Sequence, residues 1–375
     1  MKNMIKVAAV CVPMLAGAAA PEGWQLVDGV YTPIQDAVST YPVLNANESV
    51  FVGPGTNVTM SAAFALANAK QGTSSTFCGG TLRVVGNIKA YVKGNDSKVT
   101  FKGATVNSEG TLTMNDNAAA SGDTEVRFIN GTEATFANGI WWQTQCAAGT
   151  PVSAKVVVSN ATLSIVSNRC NIQPSGTIKT DPGAVCDFAI EVQDGGVFNA
   201  LGGITASGNA NSHVLKVCRG GELTIGGNLQ LSTVSGVNAE MVCESGSRVV
   251  QTGGAIIANA GAKLRFDLLG PASDEGTALY SKLTGDYAKF NEGFLGEINV
   301  SKEARGTYKL LEVMGHPTNA KNGISGFETF MNNVSSNVTA TVSLRHWYVK
   351  EGTGTQTKYT WYAQVKSKGF VLFVR

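Results

Sequence analysis

Apolar and small polar residues alternate along the middle of the chain in a phrase that keeps returning. A small turn residue is followed two positions later by an apolar residue, and two positions later by another. The phrase reads Gly80-Thr81-Leu82-Arg83-Val84, Gly110-Thr111-Leu112-Thr113-Met114, Ala161-Thr162-Leu163-Ser164-Ile165 and Gly221-Glu222-Leu223-Thr224-Ile225. Looser copies surround Ala134, Phe198 and Val249. The central apolar residue falls at 82, 112, 134, 163, 198, 223 and 249, in steps of 30, 22, 29, 35, 25 and 26 residues. Repetition at such a period marks a repeat architecture, and alternation within each copy marks a strand. Together they predict an all-β fold, a parallel β-solenoid.

A second apolar ladder ends the strand before each turn, at Phe101, Phe128, Val158, Val192, Val217 and Val242. Strand alternation turns these side chains inward. The turns follow as Gly103, Asn130-Gly131, Asn160-Ala161, Asp194-Gly195-Gly196, Arg219-Gly220-Gly221 and Glu244-Ser245-Gly246. Gly and Asn suit them because both tolerate positive φ. The repeat occupies residues 76–268. Its seven or so coils, at ~4.8 Å each, make a rod on the order of 35 Å long. A lone coil cannot bury its inner face, so stacking must stabilise the rod.

The flanks differ. Residues 1–20 read as a secretory signal peptide: Lys2 and Lys6, an apolar run over 7–15, then Ala16-Gly17-Ala18-Ala19-Ala20 for cleavage. The run is shorter than the ~20 residues that span a bilayer, so no transmembrane anchor is expected after cleavage. Residues 21–75 form an N-terminal cap and first coil, with short helices expected at 33–38 and 61–70. Residues 269–375 form a C-terminal β-rich cap. There a helix is expected over 274–290, strands over 306–311, 341–350 and 359–365, and a hairpin turn at 366–369 into a strand over 370–374.

Pro33-Ile34-Gln35-Asp36-Ala37-Val38 and Val50-Phe51-Val52-Gly53-Pro54-Gly55-Thr56 resemble the start of pectate-lyase-like right-handed β-helix proteins. In that family an Ile-Gln-x-Ala helix covers the open end of the core and a Val-x-Val strand begins the first coil. Gly306-Thr307-Tyr308-Lys309-Leu310-Leu311 after a Gly-rich solenoid resembles the end of autotransporter passenger domains. No stretch long enough for a translocator barrel follows. The resemblance implies a right-handed parallel β-helix with a helical N-terminal cap and an antiparallel C-terminal cap. It carries no catalytic residue with it.

Charge narrows the partners. The 29 Lys and Arg nearly balance 27 Asp and Glu, and only 15% of residues are charged. Near-neutrality argues against nucleic acid and predicts flat, uncharged polar faces. Past the leader lie Cys78, Cys146, Cys170, Cys186, Cys218 and Cys243, an even set that suits disulfides in an exported chain. The ladder puts Cys218 and Cys243 in one outward slot on adjacent coils, within bonding reach. Cys170 and Cys186 flank an excursion, which leaves Cys78 for Cys146. The same ladder pairs Glu191 with Lys216 as an exposed ion pair.

Candidate chemistry is thin. Asp181, Asp187, Glu191 and Asp194 cluster in sequence, but no Asp-Asp or Asp-x-Asp pair accompanies them. His213, His316 and His346 adjoin no nucleophile motif. No catalytic, cofactor-binding or metal-ligating set is therefore assigned. Trp141-Trp142 is the most distinctive local feature. Alternation buries one ring and exposes the other, which can stack on a sugar. The reading is a secreted or cell-surface rod, adhesive or structural, with extracellular polysaccharide or surface glycans as partners and side-by-side self-association open to it. The alternatives are a carbohydrate-active enzyme or a carbohydrate-binding protein.

Overall fold

In the computed structural model, the described residues are 20–67, 72–90, 97–114, 122–142, 152–174, 186–206, 212–231, 238–272, 277–282, 288–315 and 324–368. Residues 1–19, most of the expected signal peptide, and the strand expected over 370–374 lie outside them.

The chain winds through three sheets, of 13, 13 and 10 strands. Each coil contributes one strand to each sheet, and neighbouring coils pair in parallel. One coil runs Ser97–Lys102, Thr105–Ser108 and Leu112–Met114. The next runs Gly122–Ile129, Glu133–Phe136 and Ile140–Trp142 directly above it. Seven such triplets begin within residues 74–258, as the repeat period requires. A further triplet precedes them from Ser49–Val52, and two more follow, from Lys263–Leu268 and Leu295–Val300. The solenoid thus extends beyond 76–268 at both ends.

Inward side chains of each sheet stack into columns. Phe77, Phe101, Phe128, Val158, Val192 and Val217 line up in the first sheet, all fully buried. The second sheet stacks Leu82, Val106, Ala134, Leu163, Phe198, Leu223 and Val249. Leu112 does not belong there. It sits in the third sheet between Ile88 and Ile140, and Val106 fills the second-sheet slot. Two strands of one coil carry similar phrases, so the ladder read from sequence stepped onto the wrong face once.

The turns between the first and second sheets are stacked too. Asn130 and Asn160 hold φ of 52° and 46°. Gly131 donates its N–H to the Asn160 carbonyl at 2.6 Å, and Asn160 donates to the Asp194 carbonyl at 3.0 Å. Coil length varies elsewhere: residues 143–151 and 175–185 lie between a third-sheet strand and the next first-sheet strand.

Three expected helices are strands. Residues 33–38 are a strand end, a bend and the strand Ala37–Val38, with Ile34 59% exposed. Within 61–70 the chain forms Phe64–Ala67, and within 274–290 it forms Thr277–Lys282 and Ala288–Phe290. Backbone groups at a coil edge are satisfied by the neighbouring coil, which overrides local helix preference. The helix Phe327–Met331 appears instead near the C-terminal end.

That end is closed by antiparallel strands, as expected. Gly306–Met314 pairs with Lys358–Ser367, which pairs with Val342–Glu351. Trp361 is fully buried, edge-on to Phe266 at 5.2 Å and to Phe330 at 5.6 Å. Trp347 lies on the outer side, stacked on Tyr362.

The register overturns the Cys218–Cys243 disulfide. Cys243 pairs with Val217, and Val242 pairs with Lys216. Cys243 therefore takes the inward slot, fully buried, while Cys218 is half-buried just beyond the strand end. The coil is one residue longer than the ladder assumed, and a one-residue slip reverses the facing. Cys78, Cys170, Cys218 and Cys243 are free thiols. Cys170 is an inward, buried member of the third-sheet column between Ile140 and Ile204. Cys146 and the side chain of Cys186 lie outside the described residues, and with them the partners proposed for Cys78 and Cys170. Burial pushes the Cys170 and Cys243 thiols up. Burial, then the nearby Glu244, pushes Cys218 up to about 12. Little thiolate then exists at pH 8, and the thiolate is the nucleophile. Iodoacetamide at pH 8 is expected to label these three thiols in urea-unfolded protein and to leave them largely unlabelled in the folded state, as mass spectrometry of tryptic peptides will show.

Candidate functional site

The outer face of the first sheet is charged, not the uncharged surface predicted from composition. Coils 25 to 35 residues apart bring together charges that look scattered along the chain. Lys155 pairs with Glu191, and Lys216 with Glu244 at 2.7 Å. Arg265 bridges Glu240 at 2.9 Å and Asp267 at 3.0 Å, and Lys263 meets Glu297 at 2.8 Å. Gln193 donates to Glu191 at 3.1 Å, and Asn299 to Asp267 at 2.9 Å. Signs alternate along the rod, so the face nearly neutralises itself.

Glu191 and Lys216 do share a slot. The lysine nevertheless turns to Glu244, whose side chain is 12% exposed, while Glu191, at 17%, takes Lys155. Neither pair is the fully exposed contact expected. Burial alone would raise the Glu191 pKa, but hydrogen bonds from Lys155 and Gln193 and the charges of Lys155 and Lys216 hold it below the usual carboxylate range. The hydrogen bond from Lys263 does the same for Glu297. A carboxylate whose folded pKa is depressed stabilises the fold above its unfolded pKa. That stabilisation fades as pH falls through the folded value. The rod is therefore expected to lose thermal stability progressively below pH ~4.3, in a Tm series followed by circular dichroism. Lys155→Met should shrink that loss.

The candidate acids do not converge. Asp181 lies outside the described residues. Asp187 is exposed on the strand Cys186–Val192, and partial burial raises its pKa. Glu191 lies four residues further along the same strand, so the two Cα atoms are ~13 Å apart. Paired glycosidase carboxylates stand roughly 5–9.5 Å apart. Asp194 is exposed in the following turn. Among the described residues, no group of three His, Cys, Asp or Glu is placed to hold a metal.

The histidines are structural where they are described. His213 faces inward, fully buried, its ring 6.2 Å from Phe188. His346 packs edge-on to Trp361 at 6.1 Å, and burial lowers its pKa. His316 lies outside the described residues.

Trp141 and Trp142 divide as alternation requires. Trp142 is fully buried, 5.8 Å from the Phe188 ring. Trp141 is half-buried on the outer face of the third sheet. Its register neighbours are Lys89 and Thr113 on one side, and Asn171, Thr205 and Gln230 on the other. The Trp141 indole Nε1 is buried and donates no hydrogen bond among the described residues. Between Asn107 and Thr224 the outward column of the second sheet is polar: Asn107, Thr135, Ser164, Asn199 and Thr224.

Sequence reasoning missed the charged lattice, because its members are separated by a whole coil. A correct ladder would have revealed it, since Glu191 and Lys216 already pointed to that face. Compared with known proteins, the chain matches no family model, no curated protein and no solved structure.

Proposed function

We propose that this protein is an exported, non-catalytic rod with an adhesive or structural role at the cell surface. The observation that carries the reading is the self-neutralised lattice on the first sheet. Its carboxylates are engaged by Lys155, Lys216, Lys263 and Arg265, which leaves them poorly suited to proton transfer. Cross-coil pairs of this kind contribute roughly 0.2–1 kcal/mol each, and they tie one coil to the next. The leader supports export. The passenger-like phrase at 306–311 supports a surface-displayed solenoid.

Glycan binding is the second reading, favoured by Trp141. The half-buried Trp141 indole faces outward, with Thr113 and Thr205 buried beside it and Gln230 further along the column, and its exposed ring face suits stacking on a sugar ring. Beads coated with the full chain are expected to adhere to immobilised extracellular glycans. Trp141→Ala should reduce adhesion several-fold if the indole is the contact. Adhesion unchanged in that variant moves the contact to another face. No adhesion by wild-type beads leaves only the structural role.

A further inference from the structure

The edge where the first sheet turns into the second holds a cleft of about 340 Å³, walled by Asp194, Arg219, Ser245, Pro271 and Tyr308. Its floor is glycine. Gly220 and Gly246 hold φ of 76° and 84°. A Cβ at Gly246 would lie 3.1 Å from Arg219 Cγ, and one at Gly270 3.0 Å from Arg219 Nη1. The Arg219 side chain thus lies lengthwise over the glycines of the two following coils.

Its guanidinium lacks the carboxylate partner that several other arginines have. Arg83, Arg127, Arg248 and Arg265 are each ion-paired to a carboxylate. Arg219 instead donates its backbone N–H to Glu244 Oε2 at 3.0 Å. Among the described residues, no carboxylate stands within ion-pair distance of its side chain. The walls supply complementary groups. Ser245 Oγ accepts from the Leu269 N–H at 3.0 Å, so its hydroxyl hydrogen is left to donate. The Tyr308 hydroxyl donates to the Gly270 carbonyl and accepts from the Arg305 N–H at 2.9 Å, so it serves as wall. The Asp194 carboxylate sits over Gly220, where a Cβ would collide with it.

We propose that this cleft binds a polyhydroxylated carboxylate, a sugar acid. The planar fork of Arg219 holds the carboxylate through paired hydrogen bonds. Asp194 accepts from ring hydroxyls, and Ser245 donates to a ring or hydroxyl oxygen. Asp194 also disfavours a second negative charge, which selects against acidic peptides and dicarboxylates. The site stands on the cleft alone and does not depend on adhesion through Trp141 or on the structural role.

Isothermal titration of the full chain tests it, with glucuronate, glucose and succinate as probes. Glucuronate should bind saturably at one site, at least tenfold more tightly than glucose or succinate. Arg219→Gln should weaken glucuronate binding at least tenfold. Arg219→Lys should keep part of it, since the charge stays and the fork is lost. Asp194→Asn should weaken glucuronate and strengthen succinate. Circular dichroism establishes that each variant is folded. Three results would overturn the proposal: no glucuronate binding to folded wild-type protein, equal binding by folded Arg219→Gln and Arg219→Lys variants and wild type, or succinate binding as tight as glucuronate. Bead adhesion can fail without touching any of these outcomes.

Discussion

Phe101→Ala is expected to destabilise the rod by about 3–5 kcal/mol, the range for deleting a buried aromatic ring. Phe101 is fully buried. Its ring lies 5.3 Å from Phe77 below and 5.2 Å from Phe128 above, the latter nearly parallel at 12°. Neighbours cannot collapse into the gap, because Ser97–Lys102 is hydrogen-bonded into the ladder on both sides. The cavity stays, and so does its cost. Urea denaturation should show a lower midpoint with little change in slope. Solenoid stability is largely a sum over neighbouring repeats, so the loss should be local. Hydrogen exchange should accelerate most in the coils around residues 74–129 and least near the C-terminal cap. A midpoint within the error of wild type would mean that the phenylalanine column does not hold these coils together.

Trp361→Ala should have a comparable effect at the other end, about 3–5 kcal/mol, with a different signature. Trp361 is fully buried, and edge-on contacts join it to Phe266 of the last coils and Phe330 of the helix Phe327–Met331. Around them, Phe290 stacks on Phe330, and Phe327 on Tyr359 at 4.5 Å. The cluster seals the open end of an apolar interior. Removing its central ring should loosen the hairpin of Val342–Glu351 and Lys358–Ser367 and expose the last coil. Repeat arrays need such caps to stay soluble. The variant should therefore bind a hydrophobic dye and self-associate at temperatures where Phe101→Ala remains monodisperse. Light scattering on the two variants side by side separates the effects.

Much of this fold is legible in the chain. Alternation identifies strands, and the Gly and Asn turns mark where they end, because positive φ is chemically restrictive. Asn130, Asn160, Gly220 and Gly246 all hold that conformation. Adjacent tryptophans had to face opposite ways, and they do. Register was harder. Met241, Val242, Cys243 and Glu244 are all buried, so inward and outward positions look alike there and the ladder slipped by one. Aligning Gly220 with Gly246 gives the observed 26-residue step, the same as from Leu223 to Val249. The Ala-rich stretch near Phe64 and the Ile34-Gln35-Asp36-Ala37 phrase read as helices on local preference. Cross-coil hydrogen bonding decided otherwise, and that information is not local. The Arg219 cleft was invisible for the same reason, since its walls come from residues up to 114 positions apart, between Asp194 and Tyr308.

We propose that the charged face serves cohesion between coils and not catalysis. The most direct test incubates the folded full chain with a panel of acidic and neutral polysaccharides, with and without Ca²⁺, and measures reducing and unsaturated ends. No release from any polysaccharide, with the ordered β-sheet spectrum intact, is the predicted result. Release from even one substrate, abolished by Asp187→Asn or Glu191→Gln in a variant that remains folded, would contradict it.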